Sequence, residues 1–398
     1  MGYSFVRLRN TPALIVAAFC LHAMPAMAIP HIPADGKQVV ERLPGRSNPV
    51  QRELQALRTQ LSANPNNLPL AATLARRYIE QARIEGDPRY LGYAQAALAP
   101  WWSQAAPPDE ALVLRATLRQ STHQFGLALA DLDTVLKRDS DNVQAWLTRA
   151  TVQLVIGDYA GAKASCMRLY SRAPQLVVDT CLANIASVNG DARGSYLRLK
   201  TALAQSRDAD PAIRGWVETL LAEMAARAGA DQEAEALYRK ALAEEEPDSY
   251  LLGAWSDYLL DHGRAPEVIK LLKDRTRVDA LLLRYALALK ATGSPEAAVQ
   301  TAALKSRFDA AMLRGDTVHQ REQARFELAL RGDAASAVKL ALLNWAVQKE
   351  PADLRILVEA AAASGDPVAG KTARDWIAAT RIEDRALAPL LPKLKGQP

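Results

Sequence analysis

The sequence predicts an all-α fold, a right-handed α-solenoid of about eight to nine stacked helix–turn–helix repeats. Three observations carry that expectation. Ala and Leu dominate, hydrophobic residues make up 49% of the chain and aromatic ones only 6%, while Val, Ile and Thr seldom run together; this mixture favours helix over sheet. Charged residues are 23% of the 398 positions, so there is apolar material for a sizeable core and no compositional signature of disorder. Finally, helical patterns are broken at Gly86-Asp87, Gly157-Asp158, Gly190-Asp191, Gly229, Gly263, Gly293, Gly332-Asp333 and Gly365-Asp366, with a further break lacking Gly at His123-Gln124. The breaks recur about every 35 residues, which is the mark of one repeat array and not of two or three independent domains.

Residues 1–28 read as a secretory signal peptide. Arg7 and Arg9 stand in an acid-free start, residues 13–21 form a short apolar run, and Ala26-Met27-Ala28 supplies an A-x-A site for cleavage after Ala28. The run falls well short of the roughly 20 residues that span a bilayer. Cys20 follows Phe19, where a lipoprotein signal carries a small residue, so lipidation is not expected. The expected address is therefore the periplasm of a Gram-negative bacterium. Residues 29–50, with Pro30, Pro33, Pro44 and Pro49, read as an extended arm. No later segment offers 18 uncharged apolar residues, so the mature chain is not expected to span a membrane. The net charge of +5 loses two with the leader, and what remains is too diffuse for a nucleic-acid footprint.

Residues 51–385 carry the repeats. The best copy, 142–174, has Trp146, Ala150, Gly157, Tyr159, Ala162 and Pro174; the stretch 222–247 has Ala222, Gly229, Ala234, Tyr238, Ala241 and Pro247. These resemble the tetratricopeptide repeat family, a helix–turn–helix unit of 34 residues. Weaker copies keep small residues at Ala116, Ala128, Ala183, Ala202, Ala286, Ala298 and Ala337, where helices pack closely. Two units are irregular: the one before Gly86, with Leu70, Leu74, Ala75 and Tyr78 at helical spacing, and the one between Gly293 and Gly332, which contains an extra Gly315-Asp316. Either is read as a cap or a docking place. Residues 386–398, with Pro389, Pro392 and Pro398, read as a C-terminal tail or cap.

Two cysteines remain in the mature chain, Cys166 and Cys181, equidistant from the Ala173-Pro174 turn. That symmetry sets them side by side on the second helix of one repeat and the first helix of the next. In an oxidising compartment a structural disulfide is expected. No C-x-x-C motif points to redox chemistry.

Motifs of catalysis are missing. There is no P-loop, dinucleotide fingerprint, nucleophile elbow or H-E-x-x-H. His319 and Glu322 stand at i, i+3, half of a metal site with nothing to complete it. No cofactor, no metal and no enzymatic activity are expected. Trp101-Trp102 is read as core filling between the first repeats.

In the resembled family the first helix of each unit lines a concave face. Carried over by position, that implies Gln144 and Thr151 from one unit, Asn184 from the next, Tyr250 and Asp257 from another, and His319 and Glu322 from a fourth. Mixed amide, hydroxyl and aromatic groups on such a face suit an extended peptide. The expected function is a periplasmic scaffold or adaptor that holds a protein or peptide partner of the cell envelope. The chain also looks like exported repeat proteins encoded beside inner-membrane proteins of the hydrogenase- and urease-accessory type, which implies an inner-membrane partner. Two alternatives stand: a component of an envelope assembly or polysaccharide-export machine, and a glycan-binding helical scaffold related to lytic transglycosylases.

Overall fold

The computed structural model describes Asp35, residues 48–244 and residues 247–395. The leader read over 1–28 and nearly all of the arm over 29–50 lie outside the described residues. Residues from Arg52 onward form one compact unit. Of the unit that ends at Gln51, the described part is chiefly the start of the first helix, where the Asn48 side chain accepts from the Val50 N–H (2.9 Å).

Among the described residues there are twenty α-helices and no strand. After α1 (Pro49–Ala63), nine helix pairs follow in order. They are α2 (Leu68–Glu85) with α3 (Arg89–Ala97) and the short α4 (Ala99–Trp102); α5 (Asp109–Ser121) with α6 (Phe125–Arg138); and α7 (Val143–Val155) with α8 (Tyr159–Met167). Next come α9 (Gln175–Ser187) with α10 (Ala192–Gln205), α11 (Pro211–Arg227) with α12 (Asp231–Glu244), and α13 (Ser249–Asp261) with α14 (Ala265–Leu272). Last are α15 (Asp279–Ala291) with α16 (Glu296–Leu313), α17 (Gln320–Arg325) and its continuing π-helical turn (Phe326–Arg331) with α18 (Ala334–Val347), and α19 (Pro351–Ser364) with α20 (Pro367–Thr380). The architecture is an all-α solenoid.

Local chemistry sets these boundaries. Asn67, Asn142, Asp158, Asp248, Asp333 and Asp366 each accept a hydrogen bond from a first-turn N–H of the helix that follows, which satisfies a donor the helix cannot. Within pairs the turn demands a left-handed residue. Glycine supplies it at Gly157 (φ +83°), and at the break without glycine His123 itself takes φ +57°. Its ring stacks on Phe125 with centroids 5.4 Å apart.

Fully buried alanines let neighbouring helices approach, Ala75, Ala116, Ala162 and Ala222 among them, while Leu74, Leu132, Leu199 and Leu252 fill the space between. Trp101 is buried and Trp102 packs on the same apolar cluster. Cys166 on α8 and Cys181 on α9 form a disulfide, with Cα atoms 5.9 Å apart. The bridge closes a 15-residue separation and contributes about 3 kcal/mol on chain-entropy grounds.

Non-adjacent pairs also touch. One apolar cluster unites Tyr159, Cys166 and Val178 with Trp345, Leu354 and Leu394. Three helix C-termini are capped from about five pairs further along the chain. The Arg83 carbonyl of α2 accepts from Ser249 Oγ (2.9 Å), the Val155 carbonyl of α7 from Lys349 N–H (2.7 Å), and the Arg227 carbonyl of α11 from Arg385 N–H (2.8 Å). Last-turn carbonyls have no partner inside their own helix, so each of these bonds ties one superhelical turn to the next at an orphaned acceptor. Glycine leaves the room: a Cβ at Gly157 would lie 2.5 Å from the Trp376 ring, and one at Gly86 would lie 2.8 Å from Val278.

Candidate functional site

The first helices of the later pairs line a cavity of about 470 Å³. Spacing of four residues puts charged side chains on one helical face, and that rule builds the wall: Glu223 and Arg227 on α11, Asp257 and Asp261 on α13, Arg321 and Arg325 on α17, Arg355 and Glu359 on α19, all of which border the cavity. Arg284 of α15 and Glu322 of α17 complete it.

Ion pairs cross this space. Asp257 receives Arg284 Nη2 from the neighbouring pair and Arg325 Nη1 from two pairs away, each at 2.5 Å. Burial alone would raise the Asp257 carboxyl; the two guanidiniums overcome it and hold the group well below the usual carboxylate range. Arg355 of α19 reaches Asp261 (2.6 Å) and Glu359 (2.8 Å). Glu223 takes the Tyr250 hydroxyl at 2.8 Å, and its own carboxyl is raised by burial against the opposing pull of Arg227.

Arg321 is a hub, 3.2 Å from Glu322, 3.3 Å from Glu350 and 3.4 Å from Asp353. The fully buried Asp353 also accepts from Asn344 Nδ2 (2.9 Å), Gln348 Nε2 (3.2 Å) and the Glu350 N–H (2.8 Å). Burial and then the Asp353 charge push the Glu350 carboxyl up to about 7. Since that lies above its ordinary value of 4.5, the folded chain holds the proton more tightly than the unfolded one. The stability this contributes is present below about pH 4.5 and is lost as pH rises through 7. Glu350→Gln should therefore flatten the decline in unfolding free energy between pH 5 and pH 8. Water reaches the side chain, so the change stays below about 1 kcal/mol; urea titrations of both proteins at the two pH values check it.

The residues carried over from the repeat pattern divide into two groups. Asp257 and Glu322 border the cavity, and Tyr250 is tied to its wall through Glu223 while 56% exposed. His319 is the N-cap of α17, near enough to Glu322 and His123 to influence both. Gln144, exposed on α7, and Thr151 and Asn184, half-buried on α7 and α9, are not brought to the cavity: Gln144 Nε2 donates to Thr148 Oγ1 (3.1 Å) and Thr151 Oγ1 to the Leu147 carbonyl (3.0 Å). The i, i+4 pairs Glu223/Arg227 and Arg321/Arg325 are not among the residues the repeat pattern singles out, although their spacing within the expected first helices marks them as sharing a face.

Among the described residues no group of three or more His, Cys, Asp or Glu could hold a metal ion, and no helix is long and apolar enough to cross a membrane.

No protein-family model and no curated protein matches the chain. Among solved structures it is similar to a tetratricopeptide repeat protein from Parabacteroides merdae, at 17% identity and a TM-score of 0.39, covering 64% of this chain and 91% of that one. It is also similar to the human IFIT1 dimer with PPP-AAAA, at 15% identity and a TM-score of 0.44, over 86% and 84% of the two chains. A third likeness is to Naa15/Naa10 bound to HypK-THB, at 16% identity and a TM-score of 0.27, over 82% and 50%. With these scores under 0.5, the repeat-like architecture rests on this chain's own helix pairs.

Proposed function

We propose that the protein is an exported, non-enzymatic scaffold that holds a protein or peptide partner of the cell envelope on the concave side of its solenoid, in the periplasm. The observation that carries the reading is the cavity between α11, α13, α15, α17 and α19, where four of these helices present paired charges, α15 adds Arg284, and the half-exposed Tyr250 is joined to the wall through Glu223. The Cys166–Cys181 disulfide supports an oxidising compartment, and the basic, apolar, A-x-A order of residues 1–28 supports export.

A partner that enters this space competes with ion pairs already made inside the chain. Asp257 and Glu322 therefore belong to the scaffold's closure as much as to recognition. The test is affinity capture of tagged protein, cross-linked in its own cells, beside a Tyr250→Ala variant that removes the aromatic group joined to the cavity wall and leaves every ion pair above in place. One dominant envelope protein, lost in the variant, is the expected result. Retention of that partner by the variant would overturn the concave placement, and no enrichment over background would overturn the scaffold reading itself.

A further inference from the structure

Beyond the last helix the chain crosses back over earlier pairs. It turns at Arg381, in left-handed conformation (φ +54°), and lays two arginines, four residues apart, on two successive turns. Arg381 lies over the α9–α10 turn, where a Cβ on Gly190 would stand 3.1 Å from its Nε. Arg385 lies over the α11–α12 turn and engages it in three ways. Its N–H donates to the Arg227 carbonyl (2.8 Å), its Nη1 is 2.6 Å from Asp231 Oδ2, and its Cδ occupies the space that a Cβ on Gly229 would need.

The receiving surface is built as an acceptor. The Arg227 carbonyl is at the negative end of α11. Asp231 is held in place from the far side by His262 Nε2 (3.2 Å), and its backbone carbonyl accepts the Tyr258 hydroxyl (2.8 Å). Arg385 keeps the Asp231 carboxyl below its ordinary range. Asp231, His262 and Arg385 all border the cavity, so this surface belongs to the same concave side.

The Arg385 side chain is the separable part of the crossing, because Ile382 is buried with the rest of the tail. Leu387 and Leu394 are buried in the cluster that includes Leu354 and Ile356 of α19, and Arg374 of α20 donates to the carbonyls of Leu394 and Lys395. Those contacts stay with the last pair. The Arg385–Asp231 pair, by contrast, joins side chains that are 61% and 36% exposed, where solvent and salt screen it.

We propose that the α11–α12 turn, with Asp231 and the Arg227 carbonyl, is a docking site for an extended peptide bearing arginine, and that a strap centred on Arg385 occupies it in cis. A partner segment of the same chemistry enters by displacing this strap. The inference rests on the concave-scaffold reading for its partner but not for its test.

The probe is a fluorescein-labelled synthetic peptide with the sequence of residues 380–390, added to the full mature chain and followed by anisotropy. In an Arg385→Glu chain the strap faces Asp231 with like charge, so the free peptide should bind at least about tenfold more tightly than to the wild type. That gain should vanish when Asp231→Asn is added, and it should fall with salt. Equal affinity for wild type and Arg385→Glu, or binding that survives Asp231→Asn, would overturn the proposal. Should Arg385→Glu lose helical signal in circular dichroism, Arg385→Gln replaces it, with about threefold tighter binding expected and none overturning the idea. A cellular partner that the strap peptide fails to displace would sink the strap inference while leaving the scaffold reading intact. Peptide binding without any cellular partner would do the reverse.

Discussion

Asp257→Ala is expected to lower the unfolding free energy by about 3–5 kcal/mol, the loss that follows when one member of a largely buried ion pair is removed and the opposite charges stay behind. Two guanidiniums depend on this carboxylate, Arg284 and Arg325, with side chains 14% and 21% exposed. They come from α15 and α17, so the substitution strikes three first helices at once. Adding Arg325→Met should recover part of the loss, because it removes a cation left without a partner. Urea titration followed by circular dichroism and tryptophan fluorescence measures both effects. The two probes are needed because repeat arrays can unfold in more than one step. A loss under about 1 kcal/mol would mean that these pairs do not hold the concave wall together.

Gly157→Ala should cost about 2–5 kcal/mol, against about 1–2 kcal/mol for Gly293→Ala. Both glycines are left-handed, at φ +83° and +69°, and alanine pays for that conformation at either place. Only Gly157 has a neighbour from a distant pair: its added Cβ would meet the Trp376 ring at 2.5 Å and Lys349 at 2.9 Å, whereas Gly293 has nothing within 4 Å. The excess cost at Gly157 thus measures the packing of one superhelical turn on another. Equal costs at the two sites would contradict that packing. The measurement is the urea midpoint of each variant beside the wild type.

These two tests separate what the sequence could reveal from what it could not. Helix pairs were legible because their signals are local. Gly157 and Gly365 take the left-handed conformation that a break in a helical pattern demands, and His123 takes it without glycine. The cysteine pair was legible for the same reason, since two residues equidistant from one turn meet across one helix hairpin.

The cavity was only half legible. Repeat spacing identifies the first helices, and it placed Asp257 and Glu322 on the wall that α13 and α17 contribute. It does not say how many repeats make a full superhelical turn, which depends on a small rotation accumulated from repeat to repeat. Arg325 meets Asp257 across 68 residues, Arg355 meets Asp261 across 94, and Arg385 meets Asp231 across 154. Nothing periodic in the sequence marks those partners. The chain just before the tail is the same case: Arg385 meets Arg227 and Asp231 at the α11–α12 turn, far away in the chain, while Leu387 and Leu394 of the tail pack with the last pair.

The placement of the partner on the concave side is tested most directly by photo-cross-linking in the cell. A benzophenone-bearing amino acid at position 250, beside Glu223 and the cavity, is compared with one at Leu313, which is 90% exposed and borders no part of it. On a concave placement, one discrete adduct to an envelope protein is expected from position 250 and none from position 313. An adduct from position 313 with none from position 250 would contradict it.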